Sequence, residues 1–215
     1  FALERRIFDE QWLPRRPGVK FLDDTGYPYH YAFSLGNILF ISLDATVIGH
    51  LPEGQMAWLR QLLERHGAVY QRRIIFSHLP MWPLARGRER EFIGDPGLQT
   101  LLENAGVELW LSGHHHAFYP GASGDMAFVG QACLGAGPRR LTGTEHRSAR
   151  GFTLLEFPAD GIEVTAYEAP DFRTPVDWST LPARLRTHAA DLQRADLAQG
   201  MVVRPGNSAM QEAHR

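Results

Sequence analysis

The 215 residues are 44% hydrophobic and 11% aromatic, enough apolar material for a sizeable core in one large domain or two small ones. The 22 basic and 24 acidic side chains nearly cancel, so no overall field draws the chain to nucleic acid or anionic membrane, and any polyanion site has to be local. One cysteine, Cys133, excludes an intrachain disulfide and a multi-cysteine zinc cage; histidine and carboxylate remain as metal ligands, and the compartment stays open.

The opening "FALERRIFDEQWLPRRPG" is charged rather than signal-like, and no apolar run approaches the roughly 20 residues of a membrane span. The first residue is Phe, not Met, which suggests a processed or truncated product. Two β-rich runs follow, Tyr27 to Leu35 and Ile38 to Leu43, with Gly36-Asn37 between them as a tight hairpin turn. The second run is apolar at nearly every position, as in a strand buried on both faces.

"PEGQMAWLRQLLERHG" places Met56, Leu59, Leu62 and Leu63 at helical spacing and stops at Gly67. "RRIIFSHLP" predicts a short buried strand ending in Ser77-His78, "DPGLQTLLENAG" a helix with Pro96 in its first turn, and "VELWLSGHHH" another buried strand. Strand, helix, strand, helix, strand argues an α/β domain with parallel strands joined by crossover helices. Beyond it, "MAFVGQACLGAGPRR" and "RGFTLLEFPADGIEVTAYE" read as antiparallel strands, so the sheet is expected to be mixed. Residues 1–169 are assigned to this domain. Residues 170–215 are expected to be peripheral, with "LPARLRTHAADLQRADLAQG" a helix and the remainder a flexible tail.

The chemistry concentrates where two successive strands end in histidine: His78 after "IIFS", His114 after "LWLSG". A right-handed βαβ crossover sets those strands parallel, so both ends face the same way. Neighbouring strands lie roughly 4.8 Å apart, and two imidazoles leaning together could share one metal ion. In an extended loop His116 would point with His114, and His115 away. Gly113 suits a backbone that turns sharply beside an ion. The other reading of any one of these histidines is a hydrogen-bonded structural residue at a strand end.

"IIFSHLPMWP" followed by "LWLSGHHHAFYPG" resembles the later motifs of the calcineurin-like metallophosphoesterases, the group that includes the purple acid phosphatases. "YAFSLGNILFISLDAT" with "EGQMAWLRQLLERHG", and "GFTLLEFPADGIEVTAYE", are similar to flanking parts of the same family, so the likeness runs from about Tyr27 to Glu168. It implies a mixed-sheet α-β-β-α sandwich in which His78 and His114 bind one metal and His116 another. It further implies two divalent or trivalent ions (Mn, Fe or Zn) in the intact enzyme and hydrolysis of phosphate mono- or diesters by a metal-held hydroxide.

The family's N-terminal motifs, Asp-x-His, Gly-Asp-x-x-Asp and Gly-Asn-His-Asp/Glu, do not occur here. The chain is therefore expected to lack the N-terminal strands of the sandwich and about half of the metal ligands, and to hold at most one ion alone. Asp44 is a candidate outer acceptor for an imidazole or a cap of the adjacent loop, while Asp95 and Asp125 are placed in loops near the same edge, with turn and helix-cap roles as the simpler reading. His115, at the family's variable position, is a candidate donor to a phosphate oxygen or leaving group, the other reading being a solvent-facing side chain. Arg86 and Arg88 in "LARGRERE" are candidate phosphate-binding residues, the other reading being a self-neutralising solvated loop; Arg139 and Arg140 pose the same choice.

The expected partner is a phosphate ester, with no nucleic-acid footprint and no membrane span. The alternative is a non-catalytic binding scaffold of the same fold with an incomplete metal site. Strands without their sandwich neighbours would leave apolar faces and edges uncovered, favouring association with the missing part or self-association.

Overall fold

The computed structural model describes residues 2–206. Its centre is a sheet of nine strands in the order β1-β2-β3-β4-β5-β7-β6-β11-β10. The strands are β1 (Lys20–Gly26), β2 (His30–Leu35), β3 (Ile38–Ser42), β4 (Arg72–Ser77), β5 (Leu109–Ser112), β6 (Tyr119–Ser123), β7 (Met126–Gly130), β10 (Arg184–Arg186) and β11 (Asp191–Arg194). Strands β3, β4, β5 and β7 run parallel, and all the outer pairings are antiparallel. A smaller sheet of β12 (Val203–Pro205), β9 (Ile162–Glu168) and β8 (Gly151–Glu156) makes a second layer. The mixed-sheet α/β architecture is thus the one expected.

Helices α2 (Glu53–His66) and α3 (Pro96–Asn104) supply the crossovers β3-α2-β4 and β4-α3-β5. Their apolar stripes, Leu59, Leu62 and Leu63 on one and Leu98 and Leu102 on the other, enter the same core as Leu39, Ile41, Ile75 and Trp110 of the sheet. Asp95 caps α3 through its side chain, which accepts from the Leu98 N–H at 3.0 Å. Arg73 shows which face the helices cover: its guanidinium donates to the Gly67 and Gly106 carbonyls at the ends of α2 and α3. Its neighbour Arg72 points through the other face to the Pro158 and Ala159 carbonyls in the β8–β9 turn. Helices, large sheet and small sheet therefore stack in that order.

Several expectations change. Ala2–Trp12 is a helix, α1, and Lys20–Gly26 an edge strand; neither is signalled by a strong apolar period. The first β-rich run enters the ladder at His30, because a turn with a cis Tyr27-Pro28 bond occupies its beginning. Met126–Gly130 lies parallel to β5 and antiparallel to β6. Asp125 therefore sits in the β6–β7 turn at the amino edge of the parallel strands, opposite the histidines. The helix expected over 181–200 is absent: Leu185 and Leu192 are each buried within short strands whose alternation has period two, and they extend the large sheet beyond β6. Arg194, buried, donates to the Trp178 and Leu181 carbonyls and fixes this segment to the core. Val203–Pro205, expected in the tail, pairs with β9, and the rest of that tail lies outside the described residues.

The small sheet covers the large one unevenly. Ile74, Leu109, Ala127 and Val129 are fully buried, but Tyr31, Phe33, Phe40 and Phe76 on the same face are only half-buried and contact one another. Among the described residues no helix is long and apolar enough to cross a membrane.

Candidate functional site

The parallel strands end in register: Ser42 pairs with Phe76, Ser77 with Ser112, and Ser112 with Gly130. Open α/β sheets collect ligands at this carboxyl edge. The Gly113 N–H donates to the His78 carbonyl at 3.1 Å, which brings the two histidine-bearing loops side by side. His78 Nε2 and His114 Nδ1 are 3.0 Å apart. His114 Nε2 lies 2.6 Å from Glu91 Oε2, and Arg88 donates to that same carboxylate oxygen.

The partners assign the protons. An ionised Glu91 only accepts, so His114 carries its proton on Nε2, and its Nδ1 lone pair receives the N–H of His78 Nε2. The hydrogen bond from His114 holds the Glu91 carboxyl below the usual carboxylate range. Burial, followed by the fields of His114, His116 and Arg88, pushes the His78 imidazole below the ordinary histidine value. A carboxylate behind an imidazole also fixes its ring orientation, as behind metal-bound histidines.

The "GHHH" loop is a tight turn instead of an extended segment. His114 and His116 both adopt left-handed φ, 58° and 51°, a region sparsely used by residues with a Cβ. The close turning expected of Gly113 is therefore carried by the histidines. His116 does not close on the pair to make a three-ligand group; its Nδ1 lies 3.3 Å from the Gly137 carbonyl. His115 corrects the sequence reading: it is fully buried and both ring nitrogens are used. Its Nδ1 accepts from the Leu84 and Ala85 N–H groups at 3.2 and 3.3 Å, and its Nε2–H donates to the Glu91 carbonyl at 2.9 Å. Burial drives its pKa down to about 4. It is the pin of the 84–91 loop, and so positions Glu91.

Arg88 is tied to Glu91, whereas Arg86 is exposed and 3.9 Å from Glu145. Asp44 caps its own loop through Thr46 and pairs with Arg5 of α1, and its peptide is held at both ends by the Gln55 side chain. A groove of about 650 Å³ runs from His78 past Asp44 to Tyr29, Tyr31 and Phe76, and is largely apolar on its far wall. Glu91 is the functional candidate that sequence reasoning missed. It lies 23 residues before His114 in an alternating Arg/Glu run, and no linear spacing marks it.

The donor set can be compared with a metal centre. Two imidazole nitrogens on one tetrahedral ion sit about 3.3 Å apart, so the His78–His114 pair matches part of one coordination shell after a proton shift on His78. Two metals require more. Among the described residues no group of three or more His, Cys, Asp or Glu side chains gathers to hold an ion, so these residues do not fit a two-metal centre by themselves.

No family model and no curated protein matches the sequence. Solved structures that share the fold include the following two. GAP50, the anchor in the inner membrane complex of Plasmodium, is 21% identical with a TM-score of 0.50, over 65% of this chain and 50% of that one. The purple acid phosphatase PPD1 from yellow lupin (Lupinus luteus) seeds is 15% identical with a TM-score of 0.51, over 69% of this chain and 31% of that one. The chain thus spans half the length of one neighbour and under a third of the other.

Proposed function

We propose that the carboxyl edge formed by His78, His114 and His116 engages phosphate esters, and that the complete protein is a phosphoester hydrolase acting on mono- or diesters there. The observation that carries this reading is the convergence of His78 and His114, with Glu91 fixing the second imidazole, at the ligand-collecting edge of a purple acid phosphatase-like fold.

In this reading His78 and His114 contact the phosphoryl group or the ion that polarises it. Glu91 orients His114, Arg88 balances the Glu91 charge, and His115 holds the loop that carries both. The groove past Tyr29 and Tyr31 takes the apolar part of the ester. Metal-dependent turnover at this edge needs carboxylate ligands beyond those that converge in the described residues, and no step is assigned to them.

The second reading is a scaffold of the same fold that binds without catalysing. The absence of a metal-holding group among the described residues favours it, as does the likeness to a protein described as an anchor. The half-buried aromatic face over β2–β4 is then the surface for association, with another part of the protein or with a second copy.

Two measurements separate the readings. Plasma mass spectrometry of tag-free protein counts bound metal, and hydrolysis of a nitrophenyl phosphate ester with added Mn(II), Zn(II) or Fe reports turnover. For the complete protein the enzyme reading expects close to two metals per chain and loss of turnover in His78→Ala and His114→Ala, with at most one ion held by these 215 residues alone. One metal or none, with no turnover above the metal blank, leaves the scaffold.

A further inference from the structure

Beside the histidine edge lies a depression of about 420 Å³ whose lining is four arginines and a proline: Arg86, Arg139, Arg140, Arg147 and Pro138. It adjoins the histidine loop. The Arg139 N–H donates to the His116 carbonyl at 3.0 Å, so the depression begins one hydrogen-bonded peptide away from the third histidine. The arginines come from three chain segments stitched together by the Arg86 N–H to Arg140 carbonyl bond and by an Arg140–Arg147 bridge. Arg139, Arg140 and Arg147 are near neighbours in sequence, and the fold brings Arg86 to them from a distant segment.

The charge here is not internally balanced. Four arginines face two nearby carboxylates: Glu145, 80% exposed, serves both Arg140 at 2.9 Å and Arg86 at 3.9 Å, and Glu89 stands in the field of Arg86. Arg147 is aimed by two hydrogen bonds to the Pro138 carbonyl, which carries no formal charge. Arg139 has no carboxylate partner among the described residues, and its Nε is buried without any hydrogen-bond partner. Its guanidinium lies 3.5 Å from where a Gly87 Cβ would stand. Gathering like charges costs free energy unless an anion completes the set, and a buried unpaired donor adds to that cost. Guanidinium forks match the spacing of phosphate oxygens, and several forks around one depression suit more than one phosphoryl group.

We infer that this arginine depression is an anion site for a second phosphate, so that the ligand of this edge is a molecule bearing two or more phosphate groups, such as a phosphoanhydride chain. The first phosphate lies at the histidines, and this part rests on the function proposed above. The second lies among Arg139, Arg140 and Arg147. Substrates with a single phosphate use half of the surface.

Calorimetric titration of the full chain with inorganic phosphate and with tripolyphosphate at fixed ionic strength tests it. Tripolyphosphate is expected to bind at least about tenfold more tightly than phosphate, and Arg140→Gln with Arg147→Gln, both on exposed side chains, to remove most of that advantage. The control pair Arg60→Gln with Arg65→Gln on α2 removes the same charge from a distant surface and should leave it intact. Equal affinity for the two probes, or an equal loss in the control pair, overturns the inference. His114→Ala keeps the two proposals apart. If it leaves phosphate binding unchanged while the Arg140/Arg147 pair still governs tripolyphosphate, the anion site is supported and the phosphate-ester reading of the histidines fails.

Discussion

Lowering the pH should release the loop that carries Glu91, because the residue holding that loop is a buried neutral imidazole. His115 accepts two backbone N–H groups at Nδ1, and protonation there turns the acceptor into a donor facing Leu84 and Ala85. Burial lowers its pKa from 6.5 to about 4 in the folded protein, while the unfolded chain keeps the ordinary value. Between these two values the unfolded state binds the proton and the folded state does not. Stability therefore falls as the pH drops from 6.5 towards 4, and the contribution levels off below that. The full loss is about 3 kcal/mol, a slope near 1.4 kcal/mol per pH unit.

Urea denaturation of the native chain and of His115→Asn, from pH 7 to pH 4.5, isolates the effect. Asparagine keeps an acceptor near the Nδ1 position but does not titrate, and every other group is common to both chains. The native chain should be the more stable at pH 7, with its advantage shrinking at the stated slope as the pH falls. A stability difference that is constant across this range would refute the account of His115 as a buried neutral pin.

Three further outcomes follow from individual contacts. Glu91→Ala removes the acceptor that fixes His114 as the Nε2–H tautomer, so nitrogen NMR of that ring should change from a single tautomer to a mixture; an unaltered spectrum would mean that the 2.6 Å contact does not set it. Gly151→Ala would put a Cβ 2.4 Å from the Tyr167 carbonyl oxygen, which cannot move without opening β8 from β9. A loss of about 2 kcal/mol in chemical denaturation is expected, and a change below about 0.5 kcal/mol would contradict that crowding. Arg72→Ala breaks a buried pair with Glu108, whose carboxyl burial already pushes up, and removes one of two donors from each of the Pro158 and Ala159 carbonyls in the β8–β9 turn. About 3 kcal/mol should be lost, and a melt indistinguishable from the native one would remove Arg72 as an energetic link between the sheets.

What the sequence by itself determined is the local and periodic part of the molecule. The apolar stripe of α2, the Asp95-Pro96 start of α3, the Gly36 turn and the buried runs of β3, β4 and β5 are each written in neighbouring residues, and crossover handedness then forces His78 and His114 to one edge. Leu185 and Leu192 were misleading because a three- or four-residue strand is too short for its period to stand out against an Ala- and Arg-rich run with high helix propensity. Tertiary structure alone decided the chemistry around the histidines. Glu91 reaches His114 across 23 positions, His115 turns inward because two left-handed residues flank it, and Arg86, Arg139 and Arg147 meet through backbone bonds between separate segments. Side chains converge according to where the backbone folds back, and hydrogen bonds between distant segments leave no spacing in the chain that could announce them.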